Sequence, residues 1–230
     1  MNWETEKEYF YKFIIKNKVI GFFNNPITLK SGRQSYWYVN WRNVSEDAYL
    51  LDKLTDYVIS FIKSINLKPD SFYGVPEGAT KLGIITQFKW AKMQKDFDPG
   101  KFVIAMGRGK PKNHGDPKDK LFLGIPKGKT VILEDTTTTG GSLINTINNL
   151  KEINAEIIAA IGLTNRNELR DDGKSVEDIL KEKKIQFYSM SNAVEILPKM
   201  NMESEIAKHI EDYFKKYSKY KIKISRSSNN

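Results

Sequence analysis

Cysteine is absent from all 230 residues. That excludes disulfides, thiolate nucleophiles and thiolate metal sites, and it fits a reducing cytoplasm, where this protein is expected to reside. The chain must hold itself together by packing. Long apolar runs are missing too. Stretches such as Ile157 to Leu163 stop far short of the roughly 20 residues a membrane span needs. The opening Met1-Asn2-Trp3-Glu4 brings in an acid early, so neither a signal peptide nor a membrane partner is expected. Histidine occurs only as His114 and His209. His209 has no acidic or metal-ligand companion at a spacing that reads as useful, and no function is assigned to it. No internal repeat or low-complexity linker divides the chain.

What is present is a chain with 40% hydrophobic residues, long enough to bury about 70% of its unfolded surface in one main core. The formal net charge is +9, which suits an acidic partner and says nothing about fold. Lysine is scattered along the whole chain, and only Lys215 to Arg226 is concentrated enough to be called basic. No nucleic-acid motif accompanies the charge, so nucleic acid is not an expected partner.

Apolar spacing predicts a helix over Glu4 to Lys18, ended by Asn24-Asn25-Pro26. Ile27 to Leu29 and Ser35 to Arg42 flank Lys30-Ser31-Gly32-Arg33 and read as a β-hairpin or a pair of bent strands. Ser45 is expected to cap a second helix with Glu46 and Asp47 in its first turn. From Asp70 onward, short apolar runs alternate with helical segments, and Phe102 to Met106 is among the runs expected as strands. This predicts an α/β fold, a doubly wound parallel sheet with helices on both faces. Gly107 to Lys129 interrupts the rhythm with glycine, proline, lysine and aspartate, as a functional lid would. The expected organisation is a hood of helix, hairpin and helix (1–69), a core (70–212) carrying a mobile loop (107–129), and a basic, disordered tail (213–230).

The motif richest in chemistry is Glu134-Asp135-Thr136-Thr137-Thr138-Thr139-Gly140-Gly141-Ser142, between the strand Val131 to Leu133 and a helix beginning near Leu143. A buried strand would deliver two adjacent carboxylates, and a turn of hydroxyls and backbone N–H groups would follow at the positive end of a helix dipole. Glycines permit close backbone approach, hydroxyls donate to phosphate oxygens, and paired acids suit ribose hydroxyls or a hydrated magnesium ion. This stretch resembles the phosphoribosyl pyrophosphate signature of type I phosphoribosyltransferases. Ile27 to Asn40, with Lys30-Ser31-Gly32-Arg33 at its centre, is similar to the hood motif of one branch, the orotate phosphoribosyltransferases. By that resemblance Lys30, Tyr38 and Val39 meet orotate. A planar acidic ring also needs an apolar face to stack on and a cation at its carboxylate, which agrees in kind.

Three further segments resemble the family, and its motifs occur along the chain in family order. Arg108-Gly109-Lys110-Pro111-Lys112-Asn113-His114-Gly115 resembles the mobile catalytic loop, which implies Lys112 and His114 at the departing pyrophosphate and Arg108 and Lys110 on phosphates. Gly109 stands where the family commonly has lysine. Asn165-Arg166-Asn167-Glu168 resembles a segment that places an arginine, here Arg166, on orotate, with Asn165 in place of an aspartate. Tyr73 to Lys81 corresponds to the pyrophosphate loop, where Glu77 and Gly78 offer backbone N–H groups and Gly78 replaces a common lysine.

The resemblance implies phosphoribosyl pyrophosphate binding on Glu134 to Ser142 and orotate under the hood against Thr138, with the basic loop closing over both. It also implies magnesium carried by the substrate near Glu134 and Asp135 without a direct protein cage, and a homodimer whose loop reaches the neighbouring site. A purine or uracil phosphoribosyltransferase, and a regulator that senses phosphoribosyl pyrophosphate and binds nucleic acid, are the rival readings. The hood lysine and Arg166 weigh against the first, and retention of the loop residues weighs against the second.

Overall fold

A computed structural model describes residues 3–109, 112 and 120–226. Helix α1 (Trp3–Lys16) presents Phe10, Tyr11 and Ile14 inward. Strands β1 (Ile20–Thr28) and β2 (Gln34–Val39) pair antiparallel from Ile20 opposite Val39 to Thr28 opposite Gln34. The break expected at Asn24-Asn25-Pro26 is instead an irregularity inside β1, between Phe22 and Ile27. Proline has no N–H for the ladder, and a bulge on an edge strand is where it is tolerated.

Helix α2 (Arg42–Ser45) is a single turn, and α3 (Ala48–Ser64) follows. The cap of α3 is Asp47, which accepts from the Leu50 backbone N–H, and not Ser45. The Ser45 hydroxyl is already used, donating to the Arg42 carbonyl at 3.3 Å.

The core sheet runs β3 (Ser71–Gly74), β6 (Thr130–Thr137), β7 (Ile157–Asn165) and β8 (Gln186–Asn192), parallel and in that order. Helices α4 (Thr80–Lys92), α5 (Gly141–Glu152) and α6 (Val176–Glu182) alternate with these strands, as the sequence rhythm predicts. The short α7 (Ala193–Ile196) and the long α8 (Ser204–Tyr217) complete the chain's helices among the described residues. Side-chain alternation divides the core. Val131, Leu133, Ala159 and Ile161 join α3, α8 and the hood on one face. Ile132 and Ala160 join Leu143, Ile147 and Leu150 of α5 on the other. The hood hairpin and the sheet thus share one apolar cluster.

Phe102 to Met106 is not a core strand. Only β4 (Met106–Gly107) forms, paired antiparallel with β5 (Phe122–Leu123) inside the loop region. Ile104 is left exposed, while Phe122 packs edge-on against Tyr73 and anchors the hairpin to β3. The tail also differs from expectation. Tyr213 and Phe214 are buried on α8, Ile224 is buried, and its N–H donates to Glu211 at 3.0 Å. A boundary at 213 would cut a helix whose apolar face belongs to the core. His209 does have companions: Glu205 lies one helical turn away at 3.8 Å, and its ring stacks on Tyr36 of β2 at 4.0 Å. No helix among the described residues is long and apolar enough to cross a membrane.

Candidate active site

The carboxyl ends of β3, β6 and β7 open into a cavity of about 650 Å³, roofed by the hood hairpin. In open α/β sheets this is the end where ligands bind, because the helices that follow the strands begin there and point their N-termini at the crevice. Strand β6 continues through Glu134 and Asp135 to Thr137, further than its apolar residues indicate. Glu134 pairs with Gly162 and Thr137 with Asn165 of β7, so the turn proper is only Thr138 to Gly140. Gly140 caps α5 with φ +73°, a left-handed conformation, and a side chain there would strike Val176 at 2.6 Å. Glycine satisfies both constraints at once.

Glu134 is 6% exposed. Burial pushes its carboxyl well above the ordinary value of 4.5, and Asp135 pushes the same way through its charge and a hydrogen bond; Lys30 pulls it back. Asp135 turns one oxygen to the Thr136 N–H at 2.7 Å. The Thr136 and Thr137 hydroxyls are buried without a partner among the described residues. Lys30 crosses from the hood to donate to the Ser142 hydroxyl at 3.0 Å.

Lys30, Tyr38, Val39, Glu77, Gly78, Arg108, Glu134, Asp135, Thr136, Thr138, Thr139, Gly140, Gly141, Ser142 and Arg166 all line this one cavity. Five segments far apart in sequence are thereby brought together. Thr137 does not line it; its hydroxyl lies under Gly162, and its carbonyl accepts from the Arg166 N–H at 2.8 Å. Lys112 does not line it either, and its backbone N–H donates to the Lys120 carbonyl at 2.8 Å. Lys110 and His114 lie outside the described residues. Lys81 is exposed and away from the cavity wall.

Both positions where lysine gives way to glycine are sites of close approach. A side chain at Gly78 would run into the Asp135 carboxylate, and one at Gly109 into the Glu77 carboxylate. In this conformation the pyrophosphate loop and the base of the basic loop pack against acids through bare backbone. A Cβ at either place would require the carboxylate end of that acid to turn aside.

Arg166 is 1% exposed and extensively engaged. Its Nε donates to Glu168 at 2.7 Å, one terminal nitrogen to the Trp37 carbonyl at 3.2 Å, and the other to the Ser35 hydroxyl at 3.1 Å. Its guanidinium lies 3.6 Å from the Trp37 ring centroid, and Arg33 also donates to Glu168, at 3.1 Å. This buried network locks the hood to the core, and reading the motifs singly did not show it. Asn165 donates to Glu177 at 2.6 Å. An amide suits that place, because an aspartate would set two carboxylates against each other.

Arg42, Asn145 and Asn149 also line the cavity, and none was singled out from the sequence. The only available signal was position: Arg42 is three residues beyond Val39, and the asparagines follow Ser142 at helical spacing.

No family model matches the chain. An orotate phosphoribosyltransferase of Bradyrhizobium diazoefficiens is 33% identical over 164 residues, 67% of this chain and 80% of that protein. One of Clostridium botulinum is 29% identical over 226 residues, covering 93% and 98%. Among solved structures, the orotate phosphoribosyltransferase of Francisella tularensis superposes with a TM-score of 0.67 at 24% identity, over 91% of this chain and 99% of that one, which shows the shared fold. By its sequence similarity along most of its length, this chain belongs to the orotate phosphoribosyltransferase family.

Proposed function

We propose that this chain transfers the phosphoribosyl group of phosphoribosyl pyrophosphate to orotate, giving orotidine 5'-monophosphate and pyrophosphate. The observation that carries this reading is a single cavity. It joins two strand-end carboxylates, a hydroxyl-rich turn at the start of α5, and a hood that brings a lysine and an apolar wall.

The 5'-phosphate sits on Thr138 to Ser142, where backbone N–H groups and the α5 dipole favour an anion. Glu134 and Asp135 face the ribose hydroxyls. Two adjacent acids are too few ligands for a dedicated cage, so Glu134 and Asp135 fit a magnesium ion brought in by the substrate and reached through water. When bound, magnesium neutralises charge on the pyrophosphate.

Orotate lies under the hood against Tyr38, Val39 and Thr138, with Arg166 as the floor. The bond between the ribose anomeric carbon and the pyrophosphate oxygen breaks, leaving an oxocarbenium-like centre. A ring nitrogen of orotate attacks from the opposite face with inversion and gives up its proton. Arg108, Lys110, Lys112 and His114 stabilise the departing pyrophosphate, so the chain contributes positioning and fixed charge. Lys112 stands apart from its own cavity wall, which supports a loop that acts after closing, in a homodimer over the neighbouring site. The reaction is cytoplasmic in this reading. Orotate loss followed at its ultraviolet band, with and without magnesium and with purines and uracil as competitors, tests it. Preference for a purine or uracil would move the chain to another base.

A further inference from the structure

The two cations expected on orotate, Lys30 and Arg166, are both engaged elsewhere. Lys30 donates to Ser142 at the mouth of α5, on the phosphoribosyl side. Arg166 is paired with Glu168, so its charge is already compensated, and two more of its N–H groups serve Ser35 and the Trp37 carbonyl. An acidic ring entering under the hood still requires a cation.

Arg42 meets that need. It begins α2 directly behind the strand that carries Tyr38 and Val39, and its exposed side chain lines the same cavity. Its backbone N–H is held by the Asn40 side chain at 3.2 Å, which fixes where the side chain starts. Among the described residues its guanidinium has no hydrogen bond, ion pair or ring contact. The polar groups that α5 contributes to the cavity, Ser142, Asn145, Thr146 and Asn149, are neutral, and among the described residues none of the wall's carboxylates, Glu77, Glu134 and Asp135, forms an ion pair with Arg42. Arg108, the remaining described cation of the wall, opens the basic loop and is assigned to the phosphates in the proposed reaction.

We propose that Arg42 is a further binding residue of this site and pairs through its guanidinium with the carboxylate of the acidic base. The inference rests on the reading of the chain as an orotate phosphoribosyltransferase. A planar fork with two parallel donors matches a carboxylate and fixes the in-plane rotation of the ring, so Arg42 would also select against bases without that group.

Steady-state kinetics of Arg42→Gln and Arg42→Lys, with orotate and phosphoribosyl pyrophosphate varied in turn, test this. For Arg42→Gln the KM for orotate rises about ten- to a hundredfold, the loss expected for one hydrogen-bonded charge pair. The KM for phosphoribosyl pyrophosphate and kcat at saturating orotate stay within about twofold, and Arg42→Lys recovers part of the loss. An unchanged KM for orotate overturns the proposal, as does an equal rise for both substrates, which would make Arg42 a structural residue of the hood. A wild-type protein that consumes no orotate removes the underlying function as well, so the two failures are told apart.

Discussion

Lys30 and Ser142 are 112 residues apart and meet at 3.0 Å, joining the hood hairpin to the first turn of α5. The contact sets a cation over the phosphate cradle and beside the buried Glu134. Lys30→Ala is expected to raise the KM for phosphoribosyl pyrophosphate by about tenfold, one charge-assisted hydrogen bond's worth. An effect confined to orotate would return Lys30 to the base side.

Glu134 gives a pH test. Its folded pKa is raised, so the folded state holds a proton that the unfolded chain releases, and its contribution to stability falls as pH rises above 4.5. Glu134→Gln removes that penalty. The variant should gain stability relative to the wild type as pH increases from 4 towards 8, by at most roughly 1.4 kcal/mol per pH unit within the titration window. Turnover should be lost at the same time. Thermal melts across pH check it; a variant that loses stability as pH rises would show that Glu134 is held ionised in the fold.

The Arg166 network predicts a combined phenotype. Arg166→Ala leaves the buried Glu168 with Arg33 alone, and breaking such a pair costs about 3–5 kcal/mol. Urea denaturation should show that loss beside weakened orotate binding. A wild-type unfolding midpoint would contradict the locking role.

How far the site was legible follows from these residues. Glu134 to Ser142 reads directly because chemistry and fold share one continuous segment: an apolar strand, then acids, then hydroxyls and glycine. Strand rhythm gave β3, β6, β7 and β8 for the same reason. Phe102 to Met106 misled because composition cannot tell a core strand from a segment of which only Met106 pairs, with Leu123 of β5. The engagement of Arg166 with Ser35 and Trp37 spans about 130 residues and has no local signal. Ser45 is expected to cap the second helix, but the extra turn of α2 takes it up and Asp47, expected in the first turn, becomes the cap.

Gly78 offers a more local test. Because a side chain would collide with the Asp135 carboxylate, Gly78→Ala is expected to turn that carboxylate aside and lower kcat/KM for phosphoribosyl pyrophosphate about tenfold, with the KM for orotate little changed. Unaltered kinetics would show that the loop leaves Asp135 when substrate binds.

The central claim is that the Glu134 to Ser142 cradle and the basic loop catalyse phosphoribosyl transfer to orotate, and complementation tests it most directly. Lys112→Ala and Asp135→Ala proteins, each nearly inactive alone, are mixed and assayed for orotate loss. Hybrid dimers in which one site combines an intact loop with an intact ribose-binding acid should restore up to about a quarter of wild-type activity. Full activity in Lys112→Ala or Asp135→Ala alone would contradict the account, as would confirmed hybrids that recover nothing.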